Sequence, residues 1–171
     1  MIWHMPVVSN TSPILNLAAV GYLYLLKAQF REVLVPRAVI EELKLESDHA
    51  GNDAINMALD DGWLQVCPVK DINTVRVLQR VLDRGESEAI SLALESRAEL
   101  VLLDEKDARD VAKDMDLSTL GVLGIILKAY AQGDIDRPLN VIKRLQTEAG
   151  FYLSAKIMKQ IKAELQRLST K

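Results

Sequence analysis

Acidic and amide side chains recur in this chain where a strand or turn gives way to a helix. Asn10 follows the β-prone run Pro6-Val7-Val8-Ser9, and Asp104 follows the apolar run Leu100-Val101-Leu102-Leu103. Glu41-Glu42 lies in a helix behind a second strand closed by Pro36, and Glu86-Ser87-Glu88 opens the helical run behind Gly85. Carboxylates that converge without basic partners repel one another, which raises their pKa values and costs stability unless a cation occupies the site. Mg²⁺ and Mn²⁺ prefer oxygen ligands of this kind. Such ions can generate hydroxide, orient a phosphodiester and stabilise the leaving oxygen. The residue types therefore point to metal-assisted phosphodiester hydrolysis.

Each acid also has a plainer role to weigh. Asp104 can serve as a helix N-cap, although the apolar strand before it buries its surroundings and favours a ligand role. Glu42 has Val39 three residues earlier on the same helical face and can point inward, whereas Glu41 faces water. Glu86 and Glu88 sit in a first helical turn, where the helix dipole favours negative charge without any catalysis. Asp107 reads as an outer acid of the site and Asp110 as solvated. Asp71, Asp83, Asp114 and Asp116 read as surface residues or caps. His4 in the N-terminal tail and His49 in a polar loop read as incidental, and Cys67 as a packed thiol. The sequence contains no G-x-x-x-x-G-K-[ST], no G-x-G-x-x-G after a strand, no G-x-S-x-G and no H-E-x-x-H.

The elements that must position these residues alternate. Short strands are expected at 6–9, 32–35, 64–66, 100–103 and 117–119. Helical segments lie between them: 14–27 interrupted near Gly21, 37–44, 54–59, a hairpin broken at Gly85, 106–115 and 121–131. Such alternation implies right-handed crossovers and a mostly parallel sheet covered by helices on both faces. Two more helices, 139–149 and 154–168, follow Pro138. In the last, Ile157, Ile161, Leu165 and Leu168 form an apolar stripe opposite Lys156, Lys159, Lys162 and Arg167, which reads as docking on the core with a solvated basic face.

Bulk properties narrow the class. The 171 residues, 49% apolar and 26% charged, suit one domain with a filled core and exclude a mainly disordered chain. A core of about residues 5–135 with a C-terminal helical extension of about 136–171 is expected. The formal charge of −3 argues against a surface coated for tight non-specific DNA binding. One cysteine and two histidines are too few for an ordinary zinc cage or an internal disulfide. The N-terminus lacks a secretory pattern and no apolar run is long enough to span a bilayer, so a cytoplasmic protein without membrane contact is expected.

Taken together, these segments resemble the PIN-domain family, the VapC-like nuclease superfamily, in a branch that opens with [DN]-T-S-P-[IL] and carries G-E-x-E-A-I. The matching stretches are Val8-Ser9-Asn10-Thr11-Ser12-Pro13-Ile14, Val35-Pro36-Arg37-Ala38-Val39-Ile40-Glu41-Glu42-Leu43 and Gly85-Glu86-Ser87-Glu88-Ala89-Ile90. Leu102-Leu103-Asp104-Glu105-Lys106-Asp107-Ala108-Arg109 and Gly121-Val122-Leu123-Gly124 follow in order. The resemblance implies a three-layer α/β/α sandwich with sheet order 3-2-1-4-5. It also implies a Mg²⁺- or Mn²⁺-dependent endoribonuclease acting on RNA, in many members a toxin held by a small antitoxin, often a homodimer. Asn10, Glu42, Glu86 and Asp104 match the metal-binding and catalytic positions, with Thr11, Glu88 and Asp107 around them. Asn10 stands where the wider family has Asp. An amide oxygen can bind a metal but brings no charge, so a catalytically silent RNA- or protein-binding module is the alternative.

Overall fold

The computed structural model describes residues 6–170; His4 lies outside them. Five short strands form one parallel sheet: β1 (Val7–Ser9), β2 (Val33–Pro36), β3 (Leu64–Cys67), β4 (Leu100–Leu102) and β5 (Ser118–Leu120). Their order is β3-β2-β1-β4-β5, as the family resemblance implied. The order reverses between β1 and β4, where the register pairs Val7 with Leu100 and Ser9 with Leu102. Ligand sites of open α/β sheets lie beyond the strand C-termini at such a reversal, and here the next residues out are Asn10 and Leu103-Asp104.

Strand periodicity divides the apolar side chains between two cores. Val7, Val33, Val35, Leu64, Leu100 and Leu102 belong to one buried cluster. Val8, Val101 and Leu103 belong to the other, with Leu34 packed against it. Helices α5 (Ile72–Leu78), α6 (Arg84–Glu95) and α7 (Lys106–Asp114) supply the second cluster. The first is filled from α1 (Thr11–Ala19), α2 (Tyr24–Phe30), α3 (Arg37–Leu43), α4 (Asn52–Asp60), α8 (Val122–Gln132), α9 (Pro138–Glu148) and α10 (Ala155–Ser169). Ile161 and Leu165 of α10 are buried in it, so the expected apolar stripe docks, although Ile157 stays 40% exposed.

Most element boundaries differ from the sequence expectation by a residue or more, and three of the differences have a clear physical reason. The helical break near Gly21 falls in a turn where that residue has φ +78°, a conformation natural to glycine, and α2 then runs on to Phe30. The break between α5 and α6 lies at 79–83, not at Gly85. Asp83 and Glu86 form a capping box there, leaving Gly85 inside the first turn. Strand β5 is shifted by one residue because Leu120 pairs with Leu102, while Leu117 is buried in the second core.

Candidate metal centre at the carboxyl edge of the sheet

Asn10 connects β1 to α1. It occupies the N-cap with extended backbone, yet its side chain makes no capping hydrogen bond. An N-cap side chain normally accepts from the N–H of the second or third helical residue, and the third here is Pro13, which has none. Asn10 is only 6% exposed, and its Oδ1 is buried without a hydrogen-bond partner. Its backbone N–H extends the β1–β4 ladder to the Leu102 carbonyl at 3.0 Å, which fixes it beside the end of β4.

The next two residues reach to opposite sides. Thr11 donates its hydroxyl to Glu42 Oε2, and Ser12 donates to Asp104 Oδ2 at 2.9 Å. The Asn16 amide braces the Ser12 hydroxyl at 3.1 Å. Asp104 Oδ1 accepts the Val122 N–H at 2.7 Å, and Arg109 donates to the Asp104 backbone carbonyl. Asp104 is thus held from α1, α7 and α8 together. A side-chain carbon on Gly121 would lie 2.9 Å from Asp104 Oδ1, so a residue without one is required for that approach.

Glu42 projects from α3 and is exposed, not turned into the core as Val39 suggested. Its carboxylate lies against Gly85, where an added Cβ would come within 2.6 Å of Oε1. That contact seats Glu42 beside Glu86, the next residue of α6. Glu86 is buried, at 6% exposure. Its Oε2 accepts the Asp83 N–H at 3.1 Å, and its own N–H donates to Asp83 Oδ1 at 2.8 Å. The helix-start role and the site location therefore coincide in one residue.

Burial dominates the electrostatics. It raises the Glu86 pKa, opposed by the Asp83 N–H and reinforced by the charges of Asp83, Glu105 and Glu42. It raises the Asp104 pKa as well, opposed by Val122, Ser12 and Arg109 and reinforced by Glu105. Glu105 therefore acts on both acids from the start of α7. Sequence reasoning passed over it, and its position directly after Asp104 was the only signal.

The outer candidates Glu88 and Asp107, and the residues read as caps, solvated acids or a packed thiol, have surroundings of their own. Glu88 accepts the Ala38 N–H at 3.1 Å and Arg84 Nε at 3.1 Å. It completes the N-terminus of α3, where Pro36 at the N-cap offers no side-chain bond. Asp107 is exposed in the first turn of α7. Asp71 caps α5 by accepting the Thr74 N–H at 3.0 Å, and Glu41 pairs with Arg84 at 2.6 Å. Cys67 is a partly buried free thiol packed against the second core.

Among the described residues, no three His, Cys, Asp or Glu side chains stand together at metal-ligand spacing. The donor set nonetheless fits a hard cation. It consists of oxygens, it includes the partnerless Asn10 Oδ1, and buried Glu86 and half-buried Asp104 carry pKa values shifted in the direction that a cation would reverse. Mg²⁺ keeps several waters and is commonly held through only one or two carboxylates, so a gathering of three is not required.

No helix among the described residues is long and apolar enough to cross a membrane. Curated proteins give no significant match to the chain. A family model described as a PIN domain matches residues 6–167, which takes in every element of the sheet and the acids at its carboxyl edge. With a parallel sheet in the order 3-2-1-4-5 and that match over nearly its whole length, the chain belongs to the PIN-domain family, a fold generally of nucleases.

Proposed function

We propose that the chain is a metal-dependent endoribonuclease whose centre is formed by Asn10, Glu42, Glu86 and Asp104. The observation that carries this reading is the buried, partnerless Oδ1 of Asn10 at the switch point beside Asp104. A buried amide oxygen without a partner costs roughly 1–3 kcal/mol; Gln29 and Asn52 each carry one too, and what sets the Asn10 oxygen apart is its place beside the acids at the carboxyl edge of the sheet. Bound Mg²⁺ or Mn²⁺ supplies a more acidic water and offsets charge on the phosphodiester. Ser12 and the Val122 N–H hold both oxygens of Asp104 in one orientation, so no side-chain search precedes binding. Thr11 and Gly85 do the same for Glu42. Glu86 spends one oxygen on Asp83 and keeps Oε1 for the site.

The family resemblance adds a small antitoxin partner, a homodimer and a cytoplasmic setting as further parts of this reading. We take the chain as one unit, since α10 shares the core of the sheet. A second reading, a silent module that binds RNA or protein, is favoured by Asn10, which brings no charge where an acid would.

Cleavage of a panel of single-stranded RNAs in Mn²⁺ separates the two. The nuclease reading predicts fragments from the wild-type chain and at least about a hundredfold slower cleavage by Asp104→Ala, the scale on which a lost charge-stabilising group acts. Intact RNA throughout, or equal cleavage by the variant, removes the enzyme and leaves the silent module.

A further inference from the structure

We propose that the groove running from Asp104 to the C-terminal segment is a track for single-stranded nucleic acid, with one base stacked on Tyr152. The groove has a volume of about 510 Å³, and its lining includes Asp104, Arg109, Lys113, Phe151, Tyr152 and Gln160. That size suits a nucleotide-scale ligand. The inference rests on the nuclease reading for its chemical end at Asp104, but the track itself is built from other residues.

Two properties of the lining select this ligand. Its cations belong to the helix that follows the acid: Arg109 is fixed by donating to the Asp104 carbonyl, and Lys113 is exposed one turn further along α7. They offer phosphate contacts leading to the acid, in a protein whose net charge of −3 otherwise repels a polyanion. Tyr152, in the same lining, is 86% exposed. It adds nothing to the core and stands open to solvent between Gly150 and Ser154. A ring face beside a short cationic run is the pattern by which single strands are held irrespective of sequence, each base stacking on an aromatic while the backbone follows the charges. In a duplex the bases are already stacked on one another and cannot reach Tyr152.

The test is fluorescence anisotropy of the full chain with a labelled oligouridylate of about twelve nucleotides, in EDTA so that nothing is cut, beside a duplex of equal length. The track predicts tighter binding of the single strand. It predicts about tenfold weaker binding by Tyr152→Ala, near wild-type binding by Tyr152→Phe, and a shallower salt dependence for Lys113→Ala. Lys143→Ala on α9 should leave the affinity unchanged. Binding by Tyr152→Ala equal to wild type, equal affinity for the duplex, or no binding of the single strand overturns the proposal. Tyr152-dependent binding in a chain that cuts nothing with Mn²⁺ upholds the track while removing the nuclease reading, so the two failures are distinct.

Discussion

Asn10 sits where a helix cap belongs and caps nothing, because Pro13 removes one of the N–H groups it would serve. Its neighbours Thr11 and Ser12 spend their hydroxyls on Glu42 and Asp104. One short stretch of sequence thus orients two acids that lie 31 and 92 residues away. Gly85 is the opposite case, a residue whose lack of a side chain makes room for a carboxylate. Gly85→Ala would press on the flexible end of Glu42 and not on backbone. It should change stability by less than about 1 kcal/mol, since alanine is also the better helix former. Cleavage should fall at least about tenfold, and urea unfolding alongside an activity assay checks both. The raised pKa of Asp104 gives a second prediction. Its charged form is disfavoured by burial, so between the ordinary Asp value and the raised one the folded chain keeps a proton that the unfolded chain has released. Stability is therefore lost as pH rises from the ordinary Asp value through the raised one. Asp104→Asn keeps an acceptor for Val122 and carries no charge. Without divalent cations it should melt above the wild type at pH 8, with the gain shrinking toward about pH 4. Melting below the wild type at pH 8 would show that the hydrogen bonds outweigh burial.

Helix α3 shows how elements lend each other ends. Pro36 cannot cap it, so Glu88 reaches from α6 to the Ala38 N–H while Arg84 of α6 pairs with Glu41. Glu88→Ala should cost about 1 kcal/mol, the usual loss for a missing cap, and Glu88→Gln should restore most of it. Denaturant midpoints of the two variants check this. The strands and most helices were legible from apolar runs and helical spacing, and Leu100–Leu102 is buried as its unbroken apolar character requires. The break before α6 was misplaced because Gly85 reads as a helix breaker, whereas the box between Asp83 and Glu86 sets the true start. Of the site, the residues leaving each strand were legible. The helix-capping duty of Glu88, the Ser12 brace and the influence of Glu105 were not, since each depends on contacts between elements that spacing along the chain does not encode.

At the scale of the whole molecule, two cores on the two faces of the sheet stabilise an edge that gathers like charges. Burial of Val, Leu and Ile side chains, each worth about 1.5–3 kcal/mol, is what allows Asp104 and Glu86 to be held against their own desolvation. A cation at that edge would relieve this cost and couple metal binding to stability. Calorimetric titration of the full chain with Mn²⁺ is the most direct test. One saturable site is expected, weakened at least about tenfold by Asp104→Asn and strengthened by Asn10→Asp. No saturable heat at millimolar Mn²⁺, or equal binding by Asp104→Asn, would contradict it.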